Sequence, residues 1–301
     1  MQVRPAGDRA ILVDLGDVSA EELHSAARSW RERGIVIVGH ASLLVFPLAP
    51  LAGRGARGEG PTHHEIPVVF DRDPRDITLH ARYLGFRAGF AYLERWPSPM
   101  PRLTTSRPVA RGSFAVAGTM AGFYPIDTPG GWNILGRTNA VLWDPNREQP
   151  NLIAAGDVVH VLPVSELPVA EPVAPAAIDG EVIADVISPG QLTRIVGARD
   201  WSRVEHGLSP GGPFDEYAAA IANRAAGNAD DAACLECVLV GPRLKFVRPT
   251  RIGLSDGRSQ VVDEIDLGRL RALREYVAIE GGLALPRFAE EAVRVTRGMQ
   301  L

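Results

Sequence analysis

The alternation of apolar and polar residues predicts a small α+β domain at the start of the chain. Two β-rich runs, AILVDL and IVIVGHASLLVFP, flank a helical segment. Ser19 and Glu22 have the spacing of a capping box at its first turn. Apolar residues then recur at helical intervals, which places His24 on the exposed side and ends the helix before Gly34. These apolar residues are Leu23, Ala26, Ala27 and Trp30.

The remaining chain is predicted to form mostly short strands separated by glycine and proline turns. The runs EIPVVF, SFAVAG, AVLWD and VVHVLPV are typical of a β-barrel or sandwich. A glycine-rich connector at 51–62 precedes this region, and a proline-rich spacer at 163–177 follows it. A further β region contains one helix, with Asp215 as its N-cap and Gly227 and Asn228 after its end. The predicted domains and linkers are 1–60, 61–165, 166–177 and 178–301.

The composition of the chain is that of a folded protein without a strong charge bias. Its 301 residues are 46% hydrophobic and carry a formal net charge of −4, so it can bury a core and has no basic field for a polyanion. No run reaches about 18 uncharged apolar residues, and the N-terminus has no signal-peptide pattern. We therefore expect a cytoplasmic protein that binds neither nucleic acid nor membrane.

Lysine and cysteine are too scarce for several kinds of site. Lys245 is the only lysine and is followed by Phe246, so the chain has no phosphate-binding P-loop. Cys234 and Cys237 lie in a strand-like run and are predicted to be core residues, because two thiolates do not complete a zinc shell. No metal site is expected from the histidines, which are His63 and His64 in a linker and the isolated His160 and His206.

The segment GLSPG at 207–211 has the spacing of a hydrolase nucleophile elbow. An elbow takes one oxyanion-hole donor from the backbone N–H after the serine, but Pro210 follows Ser209 and has no N–H. The segment is therefore a turn that leads into a helix, and helix N-termini near glycines bind anions. The residues alone leave a structural turn and a ligand-binding turn equally open.

The segment TPGGWNILGRT at 128–138 is suited to the rim of a small-anion pocket. Gly130 and Gly131 leave backbone N–H groups approachable, Trp132 offers an apolar wall, and Arg137 can bind a carboxylate or phosphate. The alternative is a glycine hairpin with an interstrand tryptophan and a surface arginine.

The segment LHARYLGFRAGFAYLERW at 79–96 places aromatic residues beside His80 and several arginines. Such a set can line a site for a small anion. It can equally consist of core aromatics with solvated charges between them, and the residues alone leave both interpretations open.

An ordered series of motifs resembles a known family. The series HEIPVVF, LGFRAGFAYL, MPRLTTSRP, GSFAVAG, GFYPIDTPGGWNILGRT, LWDPN and LIAAGDVVHVLPV is similar to allophanate hydrolase subunit 1. That family is also known as the B component of the prokaryotic ATP-dependent 5-oxoprolinase and as the kinase inhibitor KipI. After the proline spacer, GLSPGGPFDEYAAAIANRAAGN, LECVLVGPRLKF and IDLGRLRALREYVAIEGGLALP resemble the opening of subunit 2, which is also the 5-oxoprolinase C component, or KipA. The chain thus resembles a fusion of subunit 1 with a truncated subunit 2.

The resemblance implies a mostly β fold with a small N-terminal α+β domain. A cyclophilin-like β-barrel would follow, and then a second, incomplete cyclophilin-like domain. It also implies a composite site where the two halves meet, with a small carboxylate or amide as substrate. The implied reaction is ATP-dependent hydrolysis of 5-oxoproline to glutamate, together with a separate protein similar to the A component of 5-oxoprolinase. The same pair of domains occurs as the carboxyltransferase part of urea carboxylase.

The family's functional positions can be carried onto matching residues of this chain. The catalytic candidates are His80, as proton carrier, and Arg137, which would hold a carboxylate or a phosphorylated intermediate. The substrate-binding candidates are Phe90, Tyr92, Gly130, Gly131, Trp132, Thr138, Gly211, Gly212 and Asp215. The positions Asn223, Asn228 and Glu236 match as well.

Departures from the family pattern motivate a second hypothesis. Met120 and Ala121 stand where relatives have Gln-Thr, and the subunit 2 opening lacks its amide and carboxylate at 193–199. The chain also ends soon after GGLALP, where relatives continue. The alternative function is a noncatalytic module that binds a protein or a metabolite. An incomplete barrel would leave unpaired strand edges, which predicts a homo-oligomer or a partner that covers them.

Overall fold

The computed structural model describes residues 1–6, 10–31, 34–39, 42–47, 61–170, 172–174, 180–286, 288 and 293–301. The chain forms two compact units, the first comprising Met1–Ala174 with Ser202–Leu208 and the second Pro175–Trp201 with Ser209–Leu301. Most of the connector at 51–62 lies outside the described residues, and the predicted domain boundaries stay predictions.

The first unit begins with one helix and a four-stranded antiparallel sheet. The elements are β1 (Gln2–Ala6), β2 (Ala10–Asp14), α1 (Ala20–Arg31), β3 (Gly34–Val38) and β4 (Ser42–Pro47), with sheet order β1-β2-β4-β3. The predicted capping box is confirmed, because the Ser19 backbone N–H donates to the Glu22 carboxylate at 2.9 Å and the Glu22 N–H donates to the Ser19 hydroxyl at 3.3 Å. Leu23 and Ala27 are buried against the sheet, as their helical spacing predicts.

A closed seven-stranded barrel follows in the same unit. Its strands are β5 (His63–Phe70), β6 (Ile77–Leu84), β7 (Ala91–Glu94), β9 (Ser113–Ala117), β10 (Met120–Phe123), β12 (Asn133–Arg137) and β13 (Val158–Pro163), in the order β10-β7-β6-β13-β5-β12-β9. Alternate residues of each strand point inward, as in Leu79 and Ala81 of β6, and fill the barrel with apolar side chains. The predicted barrel is therefore confirmed.

One predicted strand near the barrel and one of the two alternatives for the glycine segment are wrong. The run AVLWD at 140–144 is not a strand, and Trp143 forms only an isolated bridge with Asn151. The glycine segment is not a hairpin, because β11 (Thr128–Gly130) pairs with β8 (Arg107–Val109) while β12 belongs to the barrel. Strand pairing decides the case of the glycine segment, because the partner strands of β11 and β12 lie earlier in the sequence and outside the segment.

Two predictions about histidines are also wrong. His63 and His64 are not in a linker, because they begin β5, and the His64 ring lies 2.9 Å from the Asp157 carboxylate. His160 does not stand alone, since its Nε2 lies 2.5 Å from the carboxylate of Asp76. Asp157 and Asp76 lie more than eighty residues from these partners, so local sequence gives no sign of either contact.

The prediction that His24 is exposed is wrong as well. Its side chain is buried, and its Nε2 lies 3.1 Å from the carbonyl oxygen of Ala81 in β6. Helix α1 therefore packs against the barrel in addition to its own sheet. The sequence of α1 has one apolar stripe, which packs against its own sheet. It gives no sign of a second buried face, the one that carries His24.

We expect His24 to make the free energy of unfolding depend on pH. Burial lowers the pKa of His24 and outweighs the hydrogen bonds to the Ala81 and Arg82 carbonyls, which raise it. The unfolded chain then binds the proton more readily, so the stability contributed by neutral His24 is complete above about pH 6.5 and is lost as the pH falls below it.

The measurement is urea unfolding between about pH 7.5 and about pH 5.5. The variant His24→Gln keeps an N–H donor for Ala81 and should show a flatter pH dependence than the parent protein. The exposed His63 offers the control His63→Gln, which should keep the parental slope. Equal slopes for the parent and His24→Gln would contradict the assignment.

The second unit is an open β-sheet with one α-helix on one face. Its elements are β14 (Ala184–Ser188), β15 (Leu192–Val196), α2 (Glu216–Ala226), β16 (Cys234–Val240), β17 (Arg243–Leu254), β18 (Ser259–Asp266), β19 (Arg269–Ile279) and β20 (Val293–Arg294). A 3-10 helix (Trp201–His206) follows β15, and its residues from Ser202 onward belong to the first unit. The order is β14-β17-β19-β16-β15-β20, and β18 pairs with β17. The expected incomplete second β domain is confirmed.

Helix α2 has the ends that the sequence predicts. The Asp215 carboxylate accepts from the Ala218 N–H at 2.9 Å, and Gly227 ends the helix in a left-handed conformation at φ 86°. Cys234 and Cys237 are free and buried, as predicted, and burial raises the pKa of each thiol to about 12. Among the described residues, no helix is long and apolar enough to cross a membrane.

Candidate functional site

An aromatic cluster lies on the outer face of the barrel wall. In β9, Phe114 and Val116 point into the barrel, whereas Ala115 lies on the opposite face beneath aromatic rings. Tyr92 projects outward from β7 in the same way, between the inward residues Ala91 and Leu93. The aromatic cluster consists of Phe86, Phe90, Tyr92, Tyr124 and Trp132.

The rings of the aromatic cluster meet edge to face around Phe90. The Phe90 centroid lies 5.5 Å from Trp132, 5.4 Å from Tyr124 and 5.0 Å from Tyr92. Tyr92 also lies 5.6 Å from Trp132. Such contacts hold aromatic rings in fixed orientations. Phe90 and Tyr124 are fully buried while Tyr92 and Trp132 are partly exposed, so the cluster presents a rigid aromatic surface.

Small residues make room for these rings. A Cβ at Gly122 would lie 2.8 Å from the Phe90 ring, and a Cβ at Gly130 would lie 2.4 Å from the Tyr124 hydroxyl. Gly130 and Gly131 are both buried, and the Gly131 carbonyl accepts from the Leu103 N–H at 2.8 Å. The two glycines therefore have a packing role, and the predicted exposure of their N–H groups to a substrate stays a prediction.

Arg102 is the cation that sequence reasoning missed at this surface. Its Nε would lie 3.0 Å from a Cβ on Gly131, and its side chain is exposed. Burial raises the pKa of Tyr92 and Tyr124, and the charge of Arg102 counteracts part of that rise, so the guanidinium lies near both phenols. Arg102 lies within the motif MPRLTTSRP, but that motif alone gives no sign that it approaches Trp132.

Charged residues occupy the neighbouring part of the same outer face. His80 of β6 pairs with Glu94 of β7. Glu94 lies two positions after Tyr92 in β7, so the side chains of His80, Glu94 and Tyr92 are on the same face of the sheet. Its Nε2 lies 3.3 Å from the Arg95 guanidinium, which fixes the proton of a neutral ring on Nδ1. Burial and the Arg95 charge lower the pKa of His80 against the opposing effects of Glu94 and Glu21. His80 is therefore neutral at physiological pH.

A buried ion pair joins this region to helix α1. Arg82 donates one N–H to the Glu94 carboxylate and another to the Val18 carbonyl at 3.0 Å. The second Glu94 oxygen accepts from the Ala20 N–H at 3.1 Å, at the first turn of α1. Arg82 is thus a buried structural cation rather than a solvated one, and it fixes the strand positions next to His80.

In the second unit, a buried carboxylate organises the start of α2. Glu236 is fully buried and accepts from Arg194, from Arg274 at 2.5 Å, from the Phe214 N–H at 2.8 Å and from the Tyr276 hydroxyl at 2.9 Å. The Tyr276 hydroxyl in turn accepts from the Asp215 N–H at 2.8 Å. Burial alone raises the pKa of Glu236, but these hydrogen bonds outweigh it and hold the pKa below its ordinary value.

Two segments of the chain match family models. Residues 78–153 match the model described as carboxyltransferase domain, subdomain C and D, and residues 206–262 match carboxyltransferase domain, subdomain A and B. The B component of 5-oxoprolinase from Haemophilus influenzae is 44% identical over 125 residues, and that from Bacillus subtilis is 36% identical over 117. These two segments of the chain are therefore similar to carboxyltransferase domains.

The matches to curated carboxyltransferase-domain relatives are partial. The match to the Haemophilus protein covers 33% of this chain and 59% of that protein, and the match to the Bacillus protein covers 36% and 49%. The chain thus spans about half the length of these relatives. A urea amidolyase of Lachancea kluyveri is 30% identical over 125 residues, which are 35% of this chain and 7% of that protein.

Crystal structures of TTHA0988 are similar in fold to nearly the whole chain. Two of them superpose with TM-scores of 0.78 and 0.80 at 23% and 24% identity, covering 97% of this chain and 74% of theirs. At this identity the likeness establishes the fold alone.

The predicted residues of the subdomain C and D match fall into two groups. Phe90, Tyr92 and Trp132 come together in the aromatic cluster. Arg137 is exposed at the far end of β12, about 16 Å of extended strand from Trp132, and no described contact joins the two. Thr138 is buried, and its hydroxyl accepts from the Ala140 N–H at 3.2 Å. Catalytic roles for Arg137 and His80 stay predictions.

The predicted residues of the subdomain A and B match hold the ends of α2. Gly211 and Gly212 adopt positive φ angles of 65° and 94° in the turn before Asp215. Asn223 donates to the Asp230 and Ala232 carbonyls, and Asn228 donates to the Ile279 carbonyl at 2.8 Å. The composite site between the two halves stays a prediction. Among the described residues, no group of three or more His, Cys, Asp or Glu could hold a metal ion.

Proposed function

We propose that this chain is the substrate-binding component of an ATP-dependent amide or lactam hydrolase of the 5-oxoprolinase type. The observation that carries the proposal is the 36–44% identity of its first half to the 5-oxoprolinase B component from two bacteria. The substrate class is a small ring amide with a carboxylate, of which 5-oxoproline is the simplest example. The chain would act together with a separate protein similar to the A component of 5-oxoprolinase.

The chemistry of the aromatic cluster supports this substrate class. The exposed edges of Tyr92 and Trp132 can pack against a flat lactam ring. The Arg102 guanidinium lies beside them and can bind the carboxylate through charge-assisted hydrogen bonds. Burial raises the pKa of Tyr92, so its phenol stays protonated and can donate to the amide carbonyl.

His80 is the candidate for proton transfer in this proposal. Its ring is neutral, and it lies on the same outer face as Tyr92. The Nε2 atom of the neutral imidazole can accept the proton released when water attacks an amide carbonyl, which requires the Arg95 guanidinium to move off Nε2. ATP enters as a co-substrate, and the sequence has no P-loop, so no step through the nucleotide is assigned to residues of this chain.

The test is release of glutamate from 5-oxoproline with ATP and the A-component-like protein supplied. We expect Arg102→Met to lower kcat/KM by about tenfold or more, because a hydrogen bond to a charged group is worth about 1.5–3 kcal/mol. Arg111→Met is the matched control at another exposed arginine and should leave kcat/KM unchanged. Absence of turnover by the parent chain would refute the catalytic proposal, and binding of 5-oxoproline without turnover would favour the noncatalytic module.

A further inference from the structure

Four strands of the second unit align a row of polar side chains on the face that carries α2. Arg294 of β20 pairs with Arg194 of β15, Arg194 with Glu236 of β16, and Glu236 with Tyr276 of β19. Paired residues share one face of a sheet. Tyr276 packs in the cluster formed with α2, so the whole row lies on the helix side, at the end where α2 begins.

Among its described residues, this face carries more positive than negative charge. Arg194 and Arg274 both donate to the same oxygen of Glu236, and Arg294 lies directly opposite Arg194 and is exposed. Arg194 and Arg274 therefore share one carboxylate, and Arg294 adds a further positive charge beside Arg194. The acidic residues of the first helical turn are engaged elsewhere, since Asp215 caps α2 and Glu216 pairs with Arg199 at 2.7 Å. Like charges directly opposite each other are unfavourable, and an added anion would relieve them.

Exposed aromatic residues flank the arginines. Phe214 is 79% exposed, and the Arg274 guanidinium carbon lies 4.4 Å from the centroid of its ring. Tyr217, in the first turn of α2, is 73% exposed. Large exposed aromatics beside arginines are typical of protein interaction surfaces, where they supply most of the binding energy. We call Arg194, Arg274, Arg294, Phe214 and Tyr217 the arginine face.

The spacing of the arginines indicates what binds there. Arg294 and Arg274 lie on strands whose backbones are three strand spacings apart, about 14 Å, so the arginines form a row across four strands. An extended polypeptide presents alternate side chains about 6.7 Å apart and can meet this span with two or three carboxylates. We propose that the arginine face docks an extended acidic segment of a partner protein, with Phe214 and Tyr217 packing against its apolar side chains.

This surface lies mostly outside the part of the chain that the family models match. The match to subdomain A and B covers 206–262, which includes Glu236 but not the three arginines. The proposal is also independent of lactam hydrolysis, because it uses none of the residues of the aromatic cluster. Failure of one proposal therefore leaves the other intact.

The test measures binding of a fluorescein-labelled peptide of about eight residues in which glutamate alternates with serine around one phenylalanine. We expect the full chain to bind it, and we expect Arg294→Gln and Phe214→Ala each to weaken binding by about tenfold. Arg251→Gln changes an exposed arginine near the other end of α2, next to Gly227, and should bind within about twofold of the parent. A glutamine version of the peptide should bind about tenfold more weakly, and the difference should shrink in high salt.

A second measurement needs no ligand. Removing one of two opposed guanidinium groups should raise the thermal unfolding midpoint of Arg294→Gln above that of the parent at low salt, with the gain lost at high salt. Equal peptide binding by the parent and Arg294→Gln, an equal loss with Arg251→Gln, or equal binding of the glutamine peptide would overturn the proposal. Preferential binding of a single-stranded oligonucleotide over the peptide would overturn it too.

Discussion

Replacing Glu236 by glutamine should lower the free energy of unfolding by about 3 kcal/mol. The carboxylate is fully buried and accepts four hydrogen bonds, two of them from arginines. An amide offers one acceptor oxygen and turns its NH2 group towards donors, so the arginines lose their counter-charge. Removing one partner of a buried ion pair is costly because the remaining charge stays desolvated. Urea unfolding near neutral pH measures the loss.

The pH dependence gives an independent check on Glu236. Its pKa is lowered in the folded chain, so its contribution to stability is present above about pH 4.5 and is lost as the pH falls through the folded pKa. Glu236→Gln should therefore lose less stability in acid than the parent does. The control is Glu264→Gln, which breaks the exposed pair with Arg243 and should barely change the unfolding midpoint. Similar losses for the two variants would contradict a special role for Glu236.

Replacing Gly112 by alanine should destabilise the first unit by about 3 kcal/mol or more. Gly112 has a φ of 79°, and an added Cβ would lie 2.1 Å from the carbonyl oxygen of Thr138. That oxygen belongs to the backbone, and the Thr138 N–H donates to the Gly112 carbonyl at 2.8 Å, so neither segment can move without losing this bond. The left-handed conformation costs about 1–2 kcal/mol and the overlap adds about as much again.

Gly118 provides the matched control for this prediction. Its φ is 59°, and a Cβ there would meet nothing within 4 Å. Gly118→Ala should therefore show the backbone cost alone, about 1–2 kcal/mol. The difference between the two variants measures the overlap with Thr138. If both variants unfold at the same urea concentration, the close approach of Thr138 to Gly112 is not present in solution.

The sequence predicted most of the local structure because the relevant contacts lie within a few residues. Ser19 and Glu22 form the capping box, and Asp215 and Gly227 end α2 where their side-chain chemistry requires. The burial of Cys234 and Cys237 followed from an apolar strand-like run. Where strand partners lie outside the segment, prediction failed, as it did for the hairpin at 128–138. The run AVLWD favours a strand by its residue types but forms none.

The candidate site was predicted in part. Phe90, Tyr92 and Trp132 were proposed together and lie within contact distance of each other. Arg137 was proposed beside Trp132 but lies at the other end of β12, whereas Arg102 approaches Gly131 from a different loop. Five residues of extended strand separate Arg137 from Trp132, whereas the loop that carries Arg102 brings its side chain close to Gly131. Spacing in the sequence alone shows neither distance.

The sequence by itself determined where several elements begin and end and many of the residues that pack inside them. These depend on side-chain chemistry and on periodicities of two or 3.6 residues, which are local properties. Only the tertiary structure decided that His24 is buried against β6, that His64 meets Asp157, and that Arg194 and Arg274 both bind Glu236. The physical reason is that sheet pairing and domain packing join residues far apart in the chain, and the free energy of those contacts belongs to the whole fold.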